Sequence, residues 1–304
     1  MQNRHPDRNF EGYGRNPPDP KWPSGAKLAL NFVINVEEGS EPSIEDGDAQ
    51  TESALTEGAS GQFPGRDLAA ESMFEYGSRV GYWRLVRLFQ ERGMPATIMA
   101  CALALERNPA IAAHIRETTL FDVCAHGYRW EHHRGLTRDE ERERIARTLA
   151  SIRETTGRQP EGWYCRYGPS MNTRQLLSEN GSFLYDSDAY NDELPYWRDV
   201  DGKSHLVVPY SLTNNDAKFM RGSIDSGEAF FRMLRESFDM LLSEGATAPK
   251  MMSVGLHLRI AGHPGRASGL KRFLDHVASH GDAVWVTTRS AIAHHWRRHH
   301  PPQA

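Results

Sequence analysis

Short apolar runs alternate with longer amphipathic stretches along most of the chain. Lys27 to Asn35 predicts a first buried strand. Runs near 96–99, 121–124, 162–164, 183–186, 205–209, 251–258 and 283–286 have strand length and are bounded by turn formers. Between them, Ser72 to Arg92 brings Phe74, Val80, Trp83, Leu85, Leu88 and Phe89 to one broad helical face. Thr137 and Glu140 form a capping box that opens a helix to about Thr155, because the hydroxyl and the carboxylate each satisfy an orphan backbone donor. Further helices are expected from Asn108 to about Arg116, Asn172 to Asn180, Ser226 to Glu244, Ala267 to His280 and Ser290 to His299. Seven or eight strands, mostly separated by helices, predict an α/β barrel of parallel strands; a doubly wound open sheet is the competitor. No Gly-rich dinucleotide loop or P-loop follows any strand, which disfavours nucleotide chemistry.

Residues 1–24 read as an extended arm, since Pro17, Pro18, Pro20 and Pro23 forbid helix. Residues 25–304 form one domain with no dividing linker. Residues 39–70 are a long polar, acidic loop of the kind that is functional or disordered. The hydrophobic fraction of 38%, the charged fraction of 25% and the formal net charge of -4 are those of an ordinary soluble globule, with no footprint for nucleic acid or membrane. No apolar run reaches the length of a membrane span, and Met1 to Trp22 lacks the apolar core of a secretion signal. Cys101, Cys124 and Cys165 are odd in number and widely separated, so reduced thiols in a cytoplasmic protein are expected. His294, His295, His299 and His300 share a helix with Arg297 and Arg298 and read as a solvated face.

The candidate chemistry gathers just past the predicted strands. The first strand runs into Glu37 and Glu38; later ones end at His126, at Arg166, at Asp186, Asp188 and Asn191, and at His257 and Arg259. In a parallel barrel these ends share one mouth. Paired carboxylates suit a base whose neighbour binds a metal or tunes its pKa.

Several blocks resemble the polysaccharide-deacetylase (NodB-like) superfamily, and within it the allantoinases and related cyclic-imide hydrolases. They include Asn35-Val36-Glu37-Glu38-Gly39, Tyr76-Gly77-Ser78-Arg79, His126-Gly127-Tyr128-Arg129-Trp130, Leu184-Tyr185-Asp186-Ser187-Asp188 and Gly255-Leu256-His257. The resemblance covers nearly the whole chain and implies a distorted (β/α)7 barrel. Deacetylases of this type carry two aspartates where Glu37 and Glu38 stand, the first a base and the second a metal ligand, followed by two metal-binding histidines four residues apart. His126 keeps the first histidine place, and Trp130 takes the second. An indole cannot coordinate a divalent cation, so no metal cofactor is expected, unless His132 or His133 restores a zinc site. The resemblance also implies that Arg166 orients the catalytic acid and that His257 protonates the leaving group. Trp130, Trp163 and Tyr164 offer flat walls for a planar ring, and Asp186 and Arg259 are further candidate substrate contacts. The expected activity is metal-independent hydrolysis of a cyclic amide, with (S)-allantoin leading. The alternatives are another cyclic imide, or N-deacetylation of a polymer by a metal enzyme. The split of roles between Glu37 and Glu38 is open. A homotetramer is implied, with the arm and the acidic loop as subunit contacts.

Overall fold

The computed structural model of the chain describes residues 8–58 and 65–302. The strands among them are β1 (Leu28–Val36), β2 (Ala96–Ala100), β3 (Phe121–Ala125), β4 (Gly162–Trp163), β5 (Tyr185–Asp186), β6 (Tyr196–Val200), β7 (Lys203–Val207), β8 (Lys250–His257) and β9 (Val284–Thr287). They form one sheet in the order β6-β7-β5-β4-β3-β2-β1-β8, with β9 also on β1. The helices are α1 (Leu68–Tyr76), α2 (Tyr82–Gln90), α3 (Ala102–Arg107), α4 (Pro109–Glu117), α5 (Arg138–Thr156), α6 (Thr173–Asn180), α7 (Gly227–Glu244), α8 (Leu258–Ala261), α9 (Pro264–Ala278) and α10 (Arg289–His299).

The fold is α/β with a mostly parallel sheet, as the resemblance implied. All pairings are parallel except β6–β7. The β6 strand falls outside the sequence-based expectation because Tyr196-Trp197-Arg198-Asp199 is not an apolar run. It is an edge strand, wet on one side, and alternation is weak there. The ladder does not close into a continuous barrel; a lone parallel bridge, Asn215–Gly255, spans from the segment after β7 to β8.

The β1 strand is buried at every position. It pairs with β8 from Leu28–Lys250 to Asn35–His257. Its other edge is shared, β9 taking Leu28–Asn31 and β2 taking Val33–Val36. Being covered on both faces, it reads as a nearly unbroken apolar run. Its register with β8 sets Glu37 beside His257.

The sheet interior is not purely apolar. Arg289, the first residue of α10, is fully buried. Its Nε donates to Ser187 Oγ at 3.1 Å, and one terminal nitrogen to Asn31 Oδ1 and Ser253 Oγ, each at 2.9 Å. The other reaches the carbonyls of Val208 and Pro209. One side chain thus ties β1, β8 and the segments after β5 and β7 across the gap that the ladder leaves open. The described part of the arm lies along its own domain. The Trp22 indole N–H donates to Lys250 O at 2.9 Å, and the Tyr13 hydroxyl to Pro195 O at 2.6 Å.

Arg289→Met keeps most of the apolar volume and strands several buried acceptors. It is expected to cost at least about 3 kcal/mol of unfolding free energy. An unchanged urea midpoint would contradict this role for Arg289.

Candidate active site

The chain leaves β1 through Glu37-Glu38-Gly39-Ser40 in a tight turn. Gly39 takes φ 90°, and both the amide and the hydroxyl of Ser40 return to Glu37 O. Gly39 fits this left-handed position at no steric cost. The turn keeps both carboxylates at the strand end, where Glu37 and Glu38 are 1% and 3% exposed.

The two acids have different surroundings. Glu37 Oε1 faces two imidazoles, 3.3 Å from His126 Nε2 and 3.6 Å from His257 Nε2. Its Oε2 accepts from Arg259 at 2.9 Å. Burial pushes the Glu37 carboxyl up, yet His257, Arg259 and His126 together outweigh burial and hold it well below the usual range. Glu38 Oε1 accepts from the same Arg259 nitrogen at 3.0 Å and from the Arg259 amide at 3.2 Å. Its Oε2 accepts from the Glu37 amide. For Glu38 burial prevails and the carboxyl is raised.

Arg259 is therefore the cation shared by both acids. Its ring-side neighbours are Phe74, 4.4 Å from the guanidinium carbon, and Trp130, at 4.8 Å. Aromatic faces stabilise a desolvated guanidinium. Arg259 Nε donates to Leu55 O at 3.2 Å, and its second terminal nitrogen is buried with no partner among the described residues.

Each imidazole is oriented from behind. His126 Nδ1 donates to Tyr164 O at 2.9 Å, and its ring stacks on the Tyr164 ring at 5.1 Å. His257 Nδ1 lies 2.6 Å from Asp216 Oδ1, and Asp216 Oδ2 accepts the amides of His257 and Ala261. Burial pulls the His257 pKa down; Asp216, helped by Glu37, overrides burial and raises it. Asp216, which orients His257, carries no signal in the sequence. It lies in a polar run, Asn214-Asn215-Asp216, outside any periodic segment.

A helical wall closes one side. The expected single helix over Ser72–Arg92 is two helices joined by a wider π-type turn at Gly77–Gly81. A Cβ on Gly77 would lie 2.6 Å from Glu38 Oε1, and one on Gly81 would lie 2.1 Å from Leu258 O. Both glycines are needed for this close approach. The described part of the acidic loop, residues 40–57, lies over the mouth and is tied down by arginines of the same chain. Arg107 and Arg129 hold Asp46 and Asp48, Arg166 holds Glu52, and Arg266 holds Glu57.

Of the expected site residues, Glu37, Glu38, His126, His257 and Arg259 converge, with Trp130 and Tyr164 against them. Three others are placed elsewhere. Trp163 is not a wall of the mouth: it is fully buried, T-stacked on His133 and Phe183, with its indole N–H 3.1 Å from Cys165 Sγ. Period two along β4 turns it away from the face that Tyr164 lines. Asp186 is saturated by Arg174, at 2.6 and 2.9 Å, and by His205 at 2.8 Å, which makes it a structural node. Arg166 does not hold the acids: it lies 3.7 Å over the Trp130 ring, donates to Trp130 O and pairs with Glu52. Asp188 accepts from the Cys165 amide; burial first, then Asp186, pushes its carboxyl up to about 7. His133 is bonded to buried Glu141 at 3.0 Å. A groove of about 1620 Å³ beside the N-terminal arm includes none of Glu37, His126 or His257 in its lining; side-chain chemistry identifies the site.

A divalent cation does not fit these residues. The Arg259 guanidinium bridges the acids, Trp130 has no lone pair to offer, and the acid and imidazole atoms do not gather as a three-ligand set.

The polysaccharide deacetylase family profile matches residues 65–182. A Schizosaccharomyces pombe protein bearing a polysaccharide-deacetylase designation is 37% identical, over 98% of this chain and 99% of its own length. The crystal structure of PuuE allantoinase is 43% identical, with a TM-score of 0.92 over 98% of this chain and 99% of that one. A structure named as a probable polysaccharide deacetylase, from Pseudomonas aeruginosa PAO1, is 45% identical, with a TM-score of 0.92 over 98% of this chain and 100% of that one.

Arg259→Met leaves two adjacent buried carboxylates without their cation and is expected to cost about 3–5 kcal/mol. Adding Glu38→Gln removes one of those acids and should recover part of the loss. Equal unfolding midpoints for the single and double variants would refute the shared-cation arrangement.

Proposed function

The chain belongs to the polysaccharide deacetylase family, and we propose that within it the chain hydrolyses a cyclic amide, opening a ring C–N bond of a small ureide or imide, with (S)-allantoin to allantoate as the leading reaction. The observation that carries this reading is enclosure. Glu37, Glu38, His126 and His257 are between 1% and 7% exposed, beneath a loop anchored by Arg166 and Arg259. Groups so deeply enclosed suit a small ring and not a polymer. The likeness to PuuE allantoinase supports the same substrate class.

In this mechanism water is polarised at Glu37 Oε1, between the two imidazoles. Glu37 is the base because it alone of the two acids faces both His126 and His257; Glu38 holds Arg259 in position. The water oxygen bonds to the ring carbonyl carbon, and its proton passes to Glu37. Negative charge develops on the carbonyl oxygen, for which the unpartnered Arg259 nitrogen is a ready donor. As the C–N bond breaks, its electron pair stays with nitrogen, and His257 Nε2 delivers the proton that makes nitrogen a leaving group. Asp216 is a positioning residue that keeps His257 charged until then. Water exclusion by the loop strengthens each of these interactions.

The rival is metal-dependent N-deacetylation; the Pseudomonas aeruginosa neighbour is named as a probable polysaccharide deacetylase. A turnover screen of allantoin, hydantoin, succinimide and dihydrouracil, with and without a strong chelator, separates the two when run beside acetate release from a chitooligosaccharide. Ring opening that survives chelation and is lost in Glu37→Gln is expected. Acetate release that depends on added metal would overturn the proposal.

The pH dependence follows from two opposite shifts. Glu37, lowered from 4.5, contributes stability that is present above pH 4.5 and lost as pH falls through its folded value. His257, raised from 6.5, contributes stability that is complete below pH 6.5 and lost as pH rises through its folded value. Activity needs Glu37 ionised and His257 protonated, so the alkaline limb of kcat/KM should lie above pH 6.5. Asp216→Asn removes the raising charge and should move that limb to lower pH while reducing kcat. A limb that stays in place would dissociate Asp216 from the proton donor.

A further inference from the structure

Helices α7 and α9 run side by side in the same direction on the outside of the sheet. Their N-terminal ends touch backbone to backbone: a Cβ on Gly227 would lie 2.2 Å from Gly265 O, and one on Gly269 would lie 2.1 Å from Gly227 O. At the other end the contact is polar. Asp239 of α7 lies 2.8 Å, Oδ1 to Nε2, from His276 of α9. His280 follows one turn later, just past the end of α9, and its backbone is still helical at φ -95° and ψ -5°. Residues four apart share a helix face, and the His276 and His280 rings are 4.7 Å apart.

We propose that Asp239, His276 and His280 form a binding site for a zinc-class divalent cation that clamps the C-terminal ends of α7 and α9. One ligand atom from each residue lies within 4.8 Å of the other two, the sole such trio among the described residues. Ligands about 2.1 Å from a tetrahedral zinc are roughly 3.4 Å apart, so rotations of partly exposed side chains close the remaining gap. His280 is already oriented: its Nδ1 donates to His276 O at 2.9 Å, which leaves Nε2 of the neutral ring as a lone pair. The carbonyls ending a helix favour a cation. Phe238 sets its ring against both imidazoles, at 5.4 and 5.1 Å, and keeps water from one side. Arg235 approaches the other Asp239 oxygen, at 4.0 Å, and leaves Oδ1 for the ion. Two imidazoles and one carboxylate, with the fourth position open to water, are a donor set for zinc in preference to calcium or magnesium, which take oxygen ligands.

The test uses the full chain, stripped of metal and titrated with zinc against a chromophoric chelator. Cobalt is then substituted to read coordination geometry from its visible spectrum. One equivalent of tightly held zinc is expected, with tetrahedral cobalt bands and a thermal midpoint that rises on zinc addition. His276→Ala and His280→Ala should each weaken binding at least about tenfold, the smallest loss expected even for an outer partner; Asp239→Asn should also weaken it. His294→Ala with His299→Ala, and separately His126→Ala, should leave binding intact. Circular dichroism checks the fold of each variant, and the wild-type cobalt spectrum is independent of all of them. The proposal fails if the wild type holds no zinc, or if binding survives loss of both His276 and His280. It fails equally if the tail or His126 variants abolish binding. None of these outcomes bears on ring opening at Glu37.

Discussion

Two neighbouring carboxylates at the end of a fully buried strand cannot both be ionised without a counter-charge held against them. Desolvation and mutual repulsion each favour protonation of at least one. Arg259 meets this constraint by placing one nitrogen between Glu37 and Glu38. Much of the surrounding structure follows. The guanidinium is itself buried and needs faces that tolerate its charge, which Phe74 and Trp130 supply. Glu38 must turn back to reach it, into space that a side chain at position 77 would fill. The wider helical turn at Gly77–Gly81 brings that glycine up to the acid.

Trp130 takes on a different meaning in this light. In the sequence it reads as a loss, an indole where a ligand would be. In the structure it is one wall of the compartment for Arg259 and the platform for Arg166. A second histidine there would offer a smaller face and a competing donor. Trp130 and Arg259 therefore pack as a pair, the indole face against the guanidinium.

The strands and most helices were legible because their apolar periods are strong. So were the strand ends that carry Glu37, His126 and His257, since parallel strands deliver their C-terminal residues to one mouth. Partnerships were not legible. Arg259 reads as one polar residue after a strand, and nothing local says that it reaches back 221 and 222 positions to the acids. Asp216 opens a short 3-10 turn with no periodic signal, and bonds to His257 and Ala261, distant in sequence, place it. Asp186 and Arg166 look as available as Glu37 in the sequence. Only packing reveals that Arg174 and His205 occupy the first, and Glu52 the second. Trp163 failed for a simpler reason: on a two-residue strand, period two cannot be counted.

In the proposed metal-free reaction, a guanidinium in place of a metal ion changes what the cover must do. A divalent cation polarises a carbonyl by direct coordination, even with water nearby. A hydrogen-bonding cation is strong only where water is excluded and its donors are held in advance. The loop over residues 40–57 supplies both conditions, since Leu55 O fixes Arg259 Nε and Glu52 ties the loop to Arg166 beside Trp130. In the proposed reaction, therefore, the cover is part of the chemistry and not only a barrier. Weakening its anchors would reduce transition-state stabilisation at Arg259 even with every atom of the acid–imidazole cluster unchanged.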